Sequence, residues 1–239
     1  MNQKYKILLF DLDNTLVDDD ENRKFAIKQV LFDRREEVTY DKIDRFIALD
    51  DQFWKDRAAG KVKDPYKFKN DEEKTKWVRA QRFLHFFKDI SFEEAVKINE
   101  SYIRYLKDNI VPIKNSEVII DYLYKKQYEI YVVTNSPQKV VNDKLFKINA
   151  QKYIKDIFSA EEAGHMKPHK VFFEKMFQKI GSDNVEDMLI VGDELEKDVL
   201  GGIQNGIDSC WVNLKKADNN TEFKPTYEIN ELIELKNLL

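Results

Sequence analysis

The chain has 239 residues, with 44 acidic against 40 basic and a formal charge of −4. That balance gives no field to draw it onto a polyanion, which sets aside general binding to nucleic acid or membrane surfaces, and 13% aromatic residues argue against disorder. The single cysteine, Cys210, excludes an intrachain disulfide and a cysteine-based zinc site, and His85, His165 and His169 are too few for a multi-histidine metal centre.

An apolar run at 7–10 reads as a strand buried on both faces. It leads directly into Asp11, Leu12, Asp13, Asn14 and Thr15. Side chains alternate along a strand, so Asp11 and Asp13 are expected to project to one side as the chain leaves the sheet. In an open α/β sheet the ligand crevice lies at the carboxyl ends of the strands, where this pair falls. Carboxylates this close repel each other and need protons, cations or solvent to coexist. Residues 18–108 have a different texture, with one glycine (Gly60), one proline (Pro65) and amphipathic stretches at 25–32, 74–87 and 92–106. They predict a helical domain inserted after the first strand, leaving 1–17 plus 109–239 for the sheet core.

After a predicted helix at 117–124, a second apolar run at 130–133 ends in Thr134 and Asn135, a hydroxyl and an amide suited to an oxyanion. The short run at 157–158 precedes Gly164, His165, Met166, Lys167 and Pro168. There the proline can start a helix and the lysine supplies a fixed positive charge. A helix at 171–180 follows, with Phe172, Phe173, Met176, Phe177 and Ile180 on one stripe. The run at 188–191 ends in Gly192, Asp193 and Glu194, with Asp198 five residues after Asp193. One or both of Asp193 and Asp198 can join Asp11 around a hard divalent cation such as Mg²⁺, which takes oxygen ligands and keeps several waters. Residues 210–213 predict a further strand, and 229–239 a closing helix. Strands alternating with helices predict an open α/β sheet. The longest stretch without a charge, 130–138, is nine residues, against about 18 or more for a membrane span. No signal-peptide apolar region precedes Asp11, and a cytoplasmic protein is the expectation.

Taken in order, Asp11-x-Asp13-x-Thr15, Thr134-Asn135, Lys167-Pro168 and Gly192-Asp193 with Asp198 resemble the four motifs of the haloacid dehalogenase superfamily. The insertion between the first two motifs is similar to that superfamily's first class of helical cap. Residues 201–213, Pro225, Thr226 and Tyr227, and the cap phrase at 53–62 resemble the noncanonical pyrimidine 5′-nucleotidases within it. Three positions depart from the usual pattern: Ser136 replaces a frequent glycine, Glu194 a serine or threonine, and His169 an aspartate or asparagine.

The resemblance implies a Rossmann-like parallel α/β core with an inserted α-helical cap. It implies Asp11 as a nucleophile that forms an aspartyl-phosphate and Asp13 as general acid and then general base. Thr134, the Asn135 backbone amide and Lys167 would hold the phosphate oxygens. Mg²⁺ would be held by Asp11, the backbone carbonyl of Asp13, Asp193, and Asp198 directly or through water, with Glu194 adding a negative charge nearby. Trp54, Arg57, Lys61 and Trp77 are the cap candidates for contacting a base or sugar. The implied activity is a Mg²⁺-dependent phosphomonoesterase acting on nucleoside 5′-monophosphates, pyrimidine ones foremost. The alternative is a sugar-phosphate or acylneuraminate phosphatase; a haloacid dehalogenase, a mutase or a non-catalytic binding protein stand further off. Asp13 argues against dehalogenation, which has no leaving alcohol to protonate. The expected partner is a small phosphorylated substrate, with no polymeric nucleic acid or membrane, on a monomer or homodimer.

Overall fold

The computed structural model describes residues 3–65 and 67–239. Six strands, β1 (Ile7–Phe10), β2 (Glu129–Thr134), β3 (Asp156–Ser159), β4 (Met188–Gly192), β5 (Asp208–Val212) and β6 (Tyr227–Ile229), form one sheet. Every pairing is parallel and the order is β3-β2-β1-β4-β5-β6, the doubly wound order in which the strand sequence reverses at the first strand. The alternation along β1 explains its uninterrupted apolar sequence. Leu8 and Phe10 join one core, with Ile120, Leu123, Val132 and Val191. Ile7 and Leu9 join another, with Val133, Phe172, Phe173 and Ile190. A strand covered on both faces has no polar side to display.

The chain divides into two compact units, residues 1–19 with 110–239, and residues 20–109. The second is built from α1 (Asp19–Asp33), α2 (Tyr40–Ala58), α3 (Asp71–Phe86) and α4 (Phe92–Asp108). Three of its four helices, α2, α3 and α4, start on side-chain caps: Thr39, Asn70 and Ser91 accept from the amides of Lys42, Glu73 and Glu94. Phe46 packs against Phe83, Phe86 and Tyr102, with ring centroids 5.2–5.5 Å apart. Beside this cluster lies a buried ionic network. Arg82 donates to Asp50 (2.8 Å) and Asn99 (2.9 Å), and Arg23 donates to Asp50 (2.9 Å).

The sheet unit carries α5 (Ser116–Lys125), α6 (Gln138–Lys147), α7 (Ala160–Ala163), α8 (Lys170–Ile180), α9 (Leu200–Asn205) and α10 (Leu235–Leu238). The strand β6 and the short α7 and α9 were not predicted from sequence, nor were the two longer helices α2 and α6. In both helices a buried charge interrupts the apolar spacing, Asp50 among Ile43, Phe46 and Phe53, and Lys144 among Val141, Leu145 and Ile148. The closing helix expected over 229–239 is not formed as such. Residues 227–229 pair with 210–212, and Asn213 N donates to the Ile229 carbonyl. What remains is one 3-10 turn at Leu232–Glu234 and the short α10. Pro168 likewise does not start α8, whose cap is His169. Among the described residues no helix is long and apolar enough to cross a membrane.

Candidate functional site

The register of the sheet brings four polar segments to one edge. Phe10 lies between Val132 and Val191, so the carboxyl ends of β1, β2 and β4 run abreast. Asp11 continues β1 by donating its amide to the Val191 carbonyl (2.8 Å). The chain then turns tightly. Leu16 N and Val17 N both return to Leu12 O, and Asn14 takes a left-handed φ of 59°, a conformation asparagine tolerates better than most residues. Leu12 is fully buried beneath this turn.

Lys167 is almost completely buried, and its ammonium is satisfied by three oxygens. It donates to Asp11 Oδ1 (2.7 Å), Asp198 Oδ1 (2.7 Å) and the Val133 carbonyl (2.8 Å). The Asn135 side chain clamps the Lys167 backbone, accepting from its amide at 2.7 Å and donating to its carbonyl at 3.4 Å. Asn135 therefore positions Lys167 through its side chain. Thr134, at the end of β2, accepts from the Ser136 amide.

Asp198 sits in a π-helical turn, Leu195–Val199, ahead of α9; such widened turns re-aim a side chain that a regular helix would point elsewhere. Its other oxygen accepts from the Glu194 amide (3.2 Å). Gly192 makes this approach possible, because a Cβ there would stand 2.2 Å from Asp198 Oδ2. Asp193 is held from two sides. Trp211 Nε1 donates to its carbonyl oxygen (2.8 Å), and Thr15 Oγ1 lies 3.4 Å from both Asp193 Oδ1 and Asp11 Oδ2.

Asp11, Asp193 and Asp198 thus offer carboxylate oxygens that all lie within 4.8 Å of one another. Three carboxylates against one ammonium leave two negative charges in a desolvated cluster. Burial pushes the Asp11 carboxyl well above its usual range despite the pull of Lys167. Burial and the neighbouring Asp11 and Asp198 charges raise Asp193 as well. An all-oxygen set with an excess of two negative charges fits a hard divalent cation of the Mg²⁺ type.

Asp13 lies in a separate constellation. Its two oxygens accept from Lys144 Nζ and Ser136 Oγ, each at 2.5 Å, and Lys144 also donates to Asp19 Oδ1 at 2.6 Å. Burial opposes ionisation of Asp13, but the adjacent Lys144 outweighs it and holds the carboxyl below its ordinary value. Lys144 is itself kept charged against its burial by Asp13 and Asp19. The three departures from the motif pattern each have a local use. Ser136 binds Asp13, Glu194 is neutralised by an ion pair with Lys197, and His169 Nδ1 accepts from Val171 N as the cap of α8.

The other four sequence candidates belong to the helical unit. Arg57 is committed to its own loop, donating to Val62 O (2.9 Å) and pairing with Asp64 (2.6 Å). Lys61 pairs with Asp56 at 3.2 Å. Trp77 packs on Phe68. Trp54 is 41% exposed, with the Arg82 guanidinium 5.4 Å from its ring. Sequence reasoning missed Lys144 and the carbonyl-holding role of Trp211. The signal for Lys144 was a lone lysine in line with Val141, Leu145 and Ile148.

Residues 8–212 match the haloacid dehalogenase-like hydrolase family. Among curated proteins the chain is 30% identical over 238 residues to the HAD-hydrolase YfnB of Bacillus subtilis, covering 99% of this chain and 96% of that protein. It is also 30% identical over 237 residues to the pyrimidine 5′-nucleotidase PynA of Streptococcus pneumoniae, covering 98% and 95%. The magnesium-bound crystal structure of Bacillus subtilis YfnB superposes with a TM-score of 0.85 over 99% of both chains.

Proposed function

Since the chain belongs to the haloacid dehalogenase-like hydrolases, we propose that it is a Mg²⁺-dependent phosphomonoesterase acting on nucleoside 5′-monophosphates, pyrimidine ones foremost. The observation that carries this reading is the cluster of Asp11, Asp193 and Asp198 around Lys167 at the carboxyl ends of β1, β2 and β4. Residues 1–17 with 109–239 form the phosphatase core in this reading, and 18–108 the cap that selects the substrate.

Asp13, ionised at rest beside Lys144, first takes up a proton from the phosphate monoanion or from solvent. Asp11 then attacks phosphorus, and the bond to the leaving oxygen breaks as Asp13 passes that proton to it. The product alcohol departs and the phosphoryl group stays on Asp11 as an aspartyl-phosphate. Asp13 then takes a proton from water, which attacks phosphorus and frees both inorganic phosphate and Asp11. Thr134, the Asn135 amide and Lys167 hold the equatorial oxygens as charge redistributes. Asp11, the Asp13 carbonyl and Asp193 would hold Mg²⁺. Asp198, whose oxygens are engaged by Lys167 and the Glu194 amide, would reach it through water. The cation supplies the charge neutralisation that lets an anionic nucleophile approach a phosphate dianion. Of the two candidate tryptophans in the helical unit, Trp54 has the more exposed ring to offer a base. Arg57 and Lys61, already paired, and Trp77, packed on Phe68, are weaker candidates for that contact.

The likeness to PynA supports the nucleotidase reading. Phosphate release from a panel of pyrimidine, purine, hexose and acylneuraminate monophosphates tests it, with and without excess chelator. Pyrimidine nucleotides should lead purine ones by about tenfold, or about 1.4 kcal/mol, and chelator should abolish turnover. A hexose or acylneuraminate phosphate with the highest kcat/KM would overturn the nucleotidase assignment. Undiminished release in chelator would overturn the metal dependence.

A further inference from the structure

The least expected group in the sheet unit is Lys144. It lies on α6, in line with Val141 and Leu145, both fully buried. Its own side chain is only 7% exposed. An apolar side chain would continue that stripe without desolvating an ammonium, and replacing a buried ion pair by well-packed apolar groups is often neutral or stabilising. Stability alone therefore gives little reason for a lysine here. Its terminal nitrogen instead bridges two carboxylates, Asp13 at 2.5 Å and Asp19 at 2.6 Å. Asp13 and Asp19 lie six residues apart on either side of the turn that follows β1, and without a cation between them they would repel. Ser136 Oγ binds the second oxygen of Asp13. The carboxylate is thus fixed at both oxygens by groups from α6 and from the loop after β2.

We propose that Lys144 is a positioning residue for Asp13. It holds the proton-transferring carboxylate in one orientation and shields it from Asp19, the last residue before the chain passes into the helical unit. The inference rests on the phosphomonoesterase reading, in which Asp13 protonates the leaving oxygen. Misplacing that carboxylate then harms substrates in proportion to their need for a proton. An alkyl nucleoside monophosphate leaves as a strongly basic alkoxide and needs the proton. An aryl phosphate such as para-nitrophenyl phosphate leaves as a stabilised phenolate and needs it little. Because kcat/KM reports steps through formation of the aspartyl-phosphate, the later water-activating role of Asp13 does not enter the comparison.

The experiment compares kcat/KM for uridine 5′-monophosphate and para-nitrophenyl phosphate in wild type, Lys144→Met and Lys144→Arg, each with saturating Mg²⁺. For Lys144→Met the alkyl-to-aryl ratio should fall at least about tenfold, and Lys144→Arg should keep it within about threefold of wild type. Because Lys144→Met strands Asp19, the double variant Asp19→Asn with Lys144→Met removes that charge as well. It should show the same fall in ratio, and it carries the test if the single variant does not fold. A parallel loss on both substrates, or no loss, in a variant whose circular dichroism matches wild type would overturn the positioning role. A wild-type enzyme inactive on both substrates would overturn the phosphatase reading itself, and the two failures are distinguishable.

Discussion

Replacing Gly192 by alanine should unseat Asp198 and destabilise the sheet unit. The added Cβ would stand 2.2, 2.3 and 2.7 Å from Oδ2, Cγ and Cβ of Asp198, far inside van der Waals contact. Asp198 has nowhere to retreat, being 2% exposed and held by Lys167 and the Glu194 amide. Overpacking a filled core costs about 1–3 kcal/mol. Losing a charge-assisted hydrogen bond, and with it one of the partners of buried Lys167, adds about 1.5–3 kcal/mol. With partial relaxation the expected loss is roughly 3–5 kcal/mol. At about 2–4 °C per kcal/mol for a chain of this size, that lowers Tm by roughly 6–20 °C. The melt should be recorded in excess chelator, so that cation binding to the native state does not enter the comparison. A Gly192→Ala protein melting within about 2 °C of wild type would refute the argument that Asp198 depends on the missing side chain.

Three other perturbations have expected outcomes. Asp11→Asn should keep the fold and reduce kcat to below about a hundredth, equivalent to more than about 2.7 kcal/mol of transition-state stabilisation, as read by steady-state phosphate release beside circular dichroism. The Cys210 thiol, pushed up to about 12 by burial and the nearby Glu234 charge, should stay unreactive toward an aromatic disulfide reagent at pH 8 in native protein and react fully in denaturant. Asp208 is penalised by burial, but hydrogen bonds from Lys4, Tyr5 and Thr226 outweigh this and hold its carboxyl below the ordinary 3.8. A depressed native pKa stabilises the fold above the ordinary value, and that stabilisation is lost as pH falls through the native one. The stability gap between wild type and Asp208→Asn, from urea melts, should therefore be full at pH 7 and shrink progressively below pH 4.

Among the described residues, five of the six strands and five of the ten helices were legible because their side chains obey one rule at a time. Residues 7–10 are apolar throughout because both faces of β1 are covered, and 170–180 carries an apolar stripe because one face of α8 is. The two longer helices that were missed share a physical cause. On α2 and α6 a charged side chain occupies the buried face, Asp50 paired to Arg82 and Lys144 paired to Asp13 and Asp19. Such pairings join residues 32 to 131 positions apart, which no local periodicity can announce. The same holds for the site. Its carboxylates stand at strand ends and could be read in order, whereas the supports that aim them, Trp211 on Asp193 and the Asn135 clamp on Lys167, exist only in three dimensions. The helical segment expected over 229–239 starts later, at Leu232, because 227–229 form a three-residue edge strand set by its neighbour β5 rather than by its own sequence.

The two ends of the helical insertion are stitched to each other inside the sheet unit. Val17 bridges to Pro112, and the Asp18 amide bonds to the Val111 carbonyl at 2.8 Å. Ninety residues separate those ends along the chain, yet to β1 and β2 they present the same closed stem that a short loop would. Loop-closure entropy rises only logarithmically, so lengthening a connection from about ten to about ninety residues adds roughly 2 kcal/mol. An insertion that carries its own core, as this one does around Phe46 and Phe83, can offset that by itself. The stem is thus a splice point. Helices there can be lost, gained or exchanged over evolutionary time, or grafted by an engineer, without re-registering a single strand.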